Sequence, residues 1–415
     1  MSVFYSFRAL DFLDVSAFVN DLLFFLMGIF MKIVIAPDSF KESLSALGVS
    51  NAIEAGFRHV FPDAEYVKVP MADGGEGTVQ SMVDATEGYF IDLSVTGPLG
   101  QPVQAQYGVL GSQPGKPSTA IIEMASASGL HLVPREQRDP RITTSYGTGE
   151  LIKDALDRGI EHIILGLGGS ATNDGGAGMV QALGYQLQDV NGREIPFGGL
   201  ALKQLNRIDA SLVHPKLAAC VIEVACDVDN PLCGERGASA IFGPQKGATP
   251  AMVQALDLSL AHFADVIVSS GREDQRLVAG AGAAGGMGLG VKAFLGGELK
   301  PGIEIVMATV AFAEKLEGAD LVITGEGRID GQTAFGKTPM GVLKQAQDKG
   351  LPTIGIAGCL GEGAEIMLEK GMLAIFPIIP FLHSLEQVLA EAETNVTYTA
   401  RNIAQSIKLG GQLNR

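Results

Sequence analysis

The chain has 415 residues, 47% of them hydrophobic and 18% charged, with a formal net charge of −16. That length exceeds one ordinary core and predicts about two domains, and the composition excludes a disordered chain. The acidity argues against a nucleic-acid or anionic-membrane partner, because both need clustered Lys and Arg.

Residues 1–30 are rich in Phe and Leu, and FVNDLLFFLMGIF has the hydropathy of a signal peptide or membrane anchor. Asp11, Asp14 and Asp21, a single upstream Arg8 and the lack of a small-x-small cleavage site argue against both. Met31 is expected to be the natural start, with residues 1–30 an upstream extension. From Met31, KIVIAPD, SALGVSNAIEAGFRHVF, YVKVPMAD and EGTVQSMVDATEG alternate β-branched runs with helical periods, as parallel strands with crossover helices do. YFIDLSVTGPLGQPVQAQYGVL and STAIIEMASA read as hairpin-type strands. A helix from Gly147, the strand HIILGLG, a Gly-rich turn and the strand CVIEVACD follow. The four cysteines, Cys220, Cys226, Cys233 and Cys359, contain no C-x-x-C pair, so a reducing cytoplasm is expected rather than a disulfide framework or zinc site. The strand rhythm returns in LVITGE, PTIGIAG and LAIFPIIP. The expected fold is α/β. A doubly wound, flavodoxin-like parallel-sheet domain over residues 31–92 and 298–415 is interrupted by an inserted α/β domain over residues 93–297.

Ligands of an open parallel sheet bind beyond the carboxyl ends of its strands. Asp38, Ser39 and Lys41 follow the first strand; Asp73, Gly74, Gly75 and Glu76 follow the second; Gly325, Glu326, Asp330 and Lys337 follow LVIT. In the inserted domain the same places hold GGSATND, with Ser170, Thr172, Asn173 and Asp174, and then Asp227. Such a set suits a metal and phosphates. Lys41 and Lys337 precede expected helix starts, where phosphate is favoured, although each is also an ordinary surface lysine by position. Asp38, Glu326 and Asp330 either hold Mg²⁺ or pair with the lysines. Asp227, after apolar VIEVAC, is either a structural cap or a desolvated general base. Ser170, Thr172, Asn173 and Asp174 either cap a helix or bind a small polyol or carboxylate.

Two literal motifs lack their context. Residues 331–338, GQTAFGKT, fit G-x-x-x-x-G-K-[ST], but ADLVIT is expected to stop at Thr324, with the polar turn GEGRID in between. The dinucleotide pattern ending at Gly282 and Gly285 follows polar GREDQRLVA. Gly282, Gly285 and the adjacent Gly286 therefore read as close helix packing or as a backbone cradle for an anion. Neither H-E-x-x-H nor G-x-S-x-G occurs.

Taken in order, APDSFKESLSA, MADGGEGT, VTGPLG, RDPRITTSYGTGELI, GLGGSATNDGGAGM, ACDVDNPLCGERGAS, FGPQKGA, GAGAAGGMG and ITGEGRIDGQTAFGK resemble the blocks of the type 1 glycerate kinase family, in its bacterial glycerate 2-kinase branch. The resemblance implies transfer of the ATP γ-phosphoryl group to D-glycerate with Mg²⁺, giving 2-phosphoglycerate, in a two-domain α/β fold with the active site between domains. The individual roles are not carried over from the family; read from their places in the chain, Lys41 and Lys337 are expected to neutralise phosphate, and Asp38, Glu326 and Asp330 are candidates to hold the metal or its waters. Likewise Gly282, Gly285, Gly286 and Gly325 are expected to approach the nucleotide, Asp73, Ser170, Thr172, Asn173 and Asp174 to bind substrate, and Asp227 to be the base. The alternatives are a glycerate 3-kinase, a kinase or dehydrogenase for another small hydroxy acid, or a non-catalytic sugar-acid sensor. The expected partners are small molecules, with no nucleic acid or membrane; a homo-oligomer is compatible.

Overall fold

Five short runs of β-branched residues pair into one parallel sheet in a computed structural model that describes residues 31–75, 77–112, 115–381 and 384–413. The expected extension over residues 1–30 and Glu76 lie outside the described residues. Across the sheet the strands are Ala374–Pro377, Thr353–Leu360, Leu321–Ile329, Lys32–Pro37 and Glu65–Lys68. In chain order this is the 2-1-3-4-5 doubly wound arrangement, whose order reverses beside Lys32–Pro37. Ile33, Ile35, Ile323 and Ile356 face a core closed by the helices Ala46–Arg58 and Ala392–Leu413. Those two helices meet closely at Gly56, where a Cβ would lie 2.7 Å from the Ala400 Cβ. On the opposite face Ile329 and Ala357 pack with Leu343 of the helix Thr338–Asp348. Ser45, one of two expected start signals, caps the first helix by accepting from the Gly48 N–H at 3.1 Å.

One boundary differs from expectation in a way that matters. The strand expected to stop at Thr324 runs on to Ile329, pairing Glu326 with Ala357 and Ile329 with Leu360. The polar composition of GEGRI imitates a turn, but ladder hydrogen bonds are made by the backbone, and the fully buried Ile329 anchors the far end. Only Asp330 therefore separates the strand from Gly331, and a helix begins at Thr338. The strand-loop-helix setting denied to GQTAFGKT is present.

Contacts divide the chain into two units: residues up to Pro70 with those from Ala311 onward, and Met71–Val310. Asp73 and the helix Thr78–Thr86 thus cluster with the second unit, inside the segment 31–92 that the sequence reading assigns to the first domain. In the second unit Glu298–Lys300, Val221–Ala225, His162–Gly166 and Thr119–Glu123 run parallel, and Pro102–Val109 and Tyr89–Thr96 add antiparallel strands at one edge. The helix Pro250–Ser269 is long and apolar enough to cross a membrane by length and composition; its Leu256, Leu260, Phe263 and Ile267 are buried within this unit. All four cysteines are free thiols.

Candidate functional site

The first cluster grows from the carboxyl ends of Lys32–Pro37 and Leu321–Ile329, where the strand order reverses. The Asp38 N–H donates to the Gly325 carbonyl at 2.8 Å, which ties the two ends together. Gly325 has no room for a Cβ, which would run into the Ile356 carbonyl of the neighbouring strand. Thr338 Oγ1 donates to Asp38 Oδ2 at 2.7 Å, and Thr333 Oγ1 donates to Glu326 Oε1 at 2.5 Å. Lys337 Nζ stands 3.6 Å from Glu326 Oε2. Burial raises the Glu326 pKa against the Thr333 hydrogen bond and the Lys337 charge, and the Asp38 carboxylate adds to the rise.

Lys41 is exposed in the turn closed by the bridge between Phe40 and Leu44. Its backbone passes over Gly327, where a Cβ would lie 3.4 Å from Lys41 N. The Asp330 N–H donates to Thr333 Oγ1 at 3.0 Å, but its carboxylate is engaged outside the cluster. Its Oδ1 accepts from the Gln332 N–H at 2.9 Å, and its Oδ2 lies 3.3 Å from Arg328 Nε.

Among the described residues no three His, Cys, Asp or Glu side chains gather as a metal site. Mg²⁺, however, usually takes one or two carboxylates from a protein and the rest of its shell from phosphate and water. Asp38 and Glu326 meet that requirement and Asp330 does not join them. Nor does the Walker-like loop wrap an anion in the usual way. The N–H groups of Gly331, Thr333 and Phe335 donate to the carbonyls of Glu362, Asp330 and Gln332. It has the setting of a P-loop, but several donors of its first turn are spent within the protein.

The second cluster surrounds a pocket of about 260 Å³ in the Met71–Val310 unit, lined by Gly74, Ser170, Asp227, Lys246, Ala283 and Ala284 among others. Asp227 does not end a buried strand as expected: Val221–Ala225 stops two residues earlier and Asp227 is exposed at the pocket rim. Its Oδ1 accepts from the Gly302 N–H at 2.9 Å. The protein crowding one side of the carboxylate and the nearby Asp73 charge raise its pKa against that bond. Asp73 accepts from the Gly75 N–H at 3.1 Å and does not line the pocket.

Of the GGSATND turn, Gly168, Gly169 and Ser170 reach the pocket and the rest turns inward. Asp174 is fully buried and accepts from Ser145 N and Oγ at 2.9 and 2.8 Å, and from the Gly176 and Gly178 N–H groups at 3.2 Å. Burial still pushes its pKa up. Asn173 Nδ2 donates to Ser239 Oγ at 2.9 Å, while Asn173 Oδ1 and Thr172 Oγ1 have no partner among the described residues. These geometries favour the capping and packing alternative for Thr172, Asn173 and Asp174. Gly282, Gly285 and Gly286 are likewise packed by backbone. A Cβ on Gly282 would strike the Pro231 carbonyl, one on Gly285 the Thr172 carbonyl, and one on Gly286 would lie 3.1 Å from Gly175 Cα.

Sequence reasoning missed Lys246. It is 2% exposed, and its Nζ donates to Ser170 Oγ at 2.7 Å and to the Thr172 carbonyl at 2.6 Å. Burial lowers its pKa to about 7, opposed by the Asp174 charge. Its only signal was its place in FGPQKGA, between Pro244 and the left-handed Gly247.

The glycerate kinase family model matches residues 33–408. Over 375 residues the chain is 57% identical to a glycerate kinase of Haemophilus influenzae, covering 90% of this chain and 98% of the relative. Over 380 residues it is 56% identical to the glycerate 2-kinase of Escherichia coli K12, covering 92% and 99%. A solved structure of a Salmonella typhimurium LT2 protein named as a glycerate kinase 2 matches with a TM-score of 0.85 at 55% identity, covering 92% of this chain and 99% of that one. With two carboxylates and a lysine at one sheet edge, a small pocket rimmed by an aspartate, and likeness of this extent, the chain belongs to the glycerate kinase family.

Proposed function

We propose that the protein transfers the γ-phosphoryl group of ATP to the 2-hydroxyl of D-glycerate, forming 2-phosphoglycerate and ADP. The observation that carries this reading is Asp227. Its Oδ1 is held by Gly302, and its Oδ2 accepts no hydrogen bond from any described residue, at the rim of a pocket of about 260 Å³. That volume lies below the roughly 300–1,000 Å³ typical of sites for drug-sized ligands, and so suits a small hydroxy acid. Asp227 takes the proton of the 2-hydroxyl as its oxygen bonds to the γ-phosphorus, and the bond to the β,γ-bridging oxygen breaks to release ADP. A carboxyl pKa raised above its ordinary value by the surrounding protein makes Asp227 a better proton acceptor than an ordinary aspartate.

Lys337 and Lys41 neutralise charge on the nucleotide phosphates. When bound, Mg²⁺ on Asp38 and Glu326 supplies further charge neutralisation to those oxygens. The free thiols are in keeping with a cytoplasmic enzyme.

The test is phosphorus NMR of the product made from ATP, Mg²⁺ and D-glycerate. A 2-phosphoglycerate resonance appearing with ADP is expected. A 3-phosphoglycerate resonance alone would contradict the position of attack, and an absence of ADP would contradict the phosphoryl donor.

A further inference from the structure

Lysine is almost never fully buried unless it is paired. Lys246 breaks that rule: among the described residues no carboxylate lies within ion-pairing distance of its Nζ. Its two acceptors, Ser170 Oγ and the Thr172 carbonyl, are both neutral. An ammonium carries three donors, so one N–H is left over, and the side chain lines the pocket that Asp227 rims. The nearby buried carboxylate, Asp174, is already occupied by Ser145, Gly176 and Gly178. In its charged form Lys246 therefore places in the pocket a desolvated charge and a third donor that the protein does not satisfy. A ligand carboxylate would satisfy both.

We infer that Lys246 is the anchor for the carboxylate of the acceptor acid, holding it in the pocket whose rim carries Asp227. This rests on the reading that the pocket receives D-glycerate, and it adds a specificity determinant. An uncharged glycerol-like molecule offers the same hydroxyls but leaves the buried ammonium unpaired, so the site selects 2-hydroxy acids over polyols and amides. The bland alternative is a strut, in which Lys246 only braces the turn through Ser170 and Thr172.

The two roles separate when the charge of ligand and protein are varied together. D-glycerate and glyceramide, which replaces the carboxylate by an amide, are compared on the wild type and on Lys246→Met. The anchor predicts that the KM for D-glycerate rises on the order of 10–100-fold in the variant, the range of a lost hydrogen bond to a charged group, while kcat changes much less. It also predicts that the wild-type preference for glycerate over glyceramide collapses. A strut would lower the melting temperature and weaken both ligands alike; an unchanged preference in the folded variant overturns the anchor.

A wild-type measurement covers a variant that fails to fold. Calorimetry at pH 8 in two buffers of different ionisation enthalpy should show proton uptake on binding D-glycerate, as Lys246 is fixed in its charged form, and less on binding glyceramide. Asp227, Asp174 and the Cys226 thiol are the other titratable groups around the pocket, and uptake that is equal for the two ligands overturns the proposal. Release of ADP with D-glycerate alongside either negative result would sink the anchor and leave the kinase reading standing.

Discussion

The two polar clusters are built on opposite principles. At the sheet edge of the first unit, Asp38, Glu326 and Lys337 are placed by topology: Asp38 follows one strand at the point where the sheet order reverses, Glu326 lies in the carboxyl half of the neighbouring strand, and Lys337, in the loop beyond it, stands beside Glu326. In the second unit the pocket is placed by packing. Gly285 lets one Gly-rich loop press on the Thr172 carbonyl, which also accepts from the buried Lys246, a lysine without a carboxylate in ion-pairing distance. On the proposed reading, an edge of two carboxylates and one lysine suits polyphosphate arriving with its cation, whereas a pocket holding a buried lysine without a carboxylate partner suits an anion.

That contrast can be broken at several points. The largest effect is expected at Asp227→Asn, which keeps shape but loses proton acceptance: kcat should fall by about 10²–10⁴-fold with KM and melting temperature little changed. A loss of stability with normal turnover would make Asp227 a cap. Lys337→Ala and Lys41→Ala should each lower kcat/KM at least about tenfold, roughly 1.4 kcal/mol, and wild-type kinetics would remove that lysine from the site. A pH titration of stability sharpens the other side. Lys246 has a folded pKa of about 7 against an ordinary 10.5, so between those values the unfolded chain binds more protons and stability rises with pH. Below about pH 7 both states are protonated and the slope vanishes. Denaturant midpoints of wild type and Lys246→Met should diverge in slope across that window; parallel curves would show that the lysine is not desolvated. The smallest effect belongs to Asp330→Asn. Its partner Arg328 is largely exposed and the pair is worth about 0–1 kcal/mol, so activity measured at limiting Mg²⁺ should stay near wild type.

Much of the first cluster was legible in the sequence because the doubly wound pattern fixes where ligand-binding residues must fall. KIVIAP and LVIT pointed directly to Asp38 and Glu326. The end of that second strand was misread because Glu326, Gly327 and Arg328 have the composition of a turn, while their backbone pairs with Ala357 and Cys359. The second cluster was legible only in part. Asp227 and Ser170 could be named from strand ends, but the strand before Asp227 stops at Ala225, and Asp73, expected at the end of Glu65–Lys68, clusters with the other unit. Lys246 was invisible, since a lysine in a Pro- and Gly-bounded turn reads as surface. Only the fold shows that Ser170 and the Thr172 carbonyl close over it.

If the acid and the nucleotide are recognised by different clusters, as proposed, crossed binding titrations will separate them. ADP with Mg²⁺ and, separately, D-glycerate are titrated into the wild type, Lys337→Ala and Ser170→Ala. Separate recognition predicts that Lys337→Ala weakens ADP about tenfold or more and leaves D-glycerate unchanged, and that Ser170→Ala weakens D-glycerate and leaves ADP unchanged. The reverse assignment, or equal loss of both ligands in both folded variants, would contradict it.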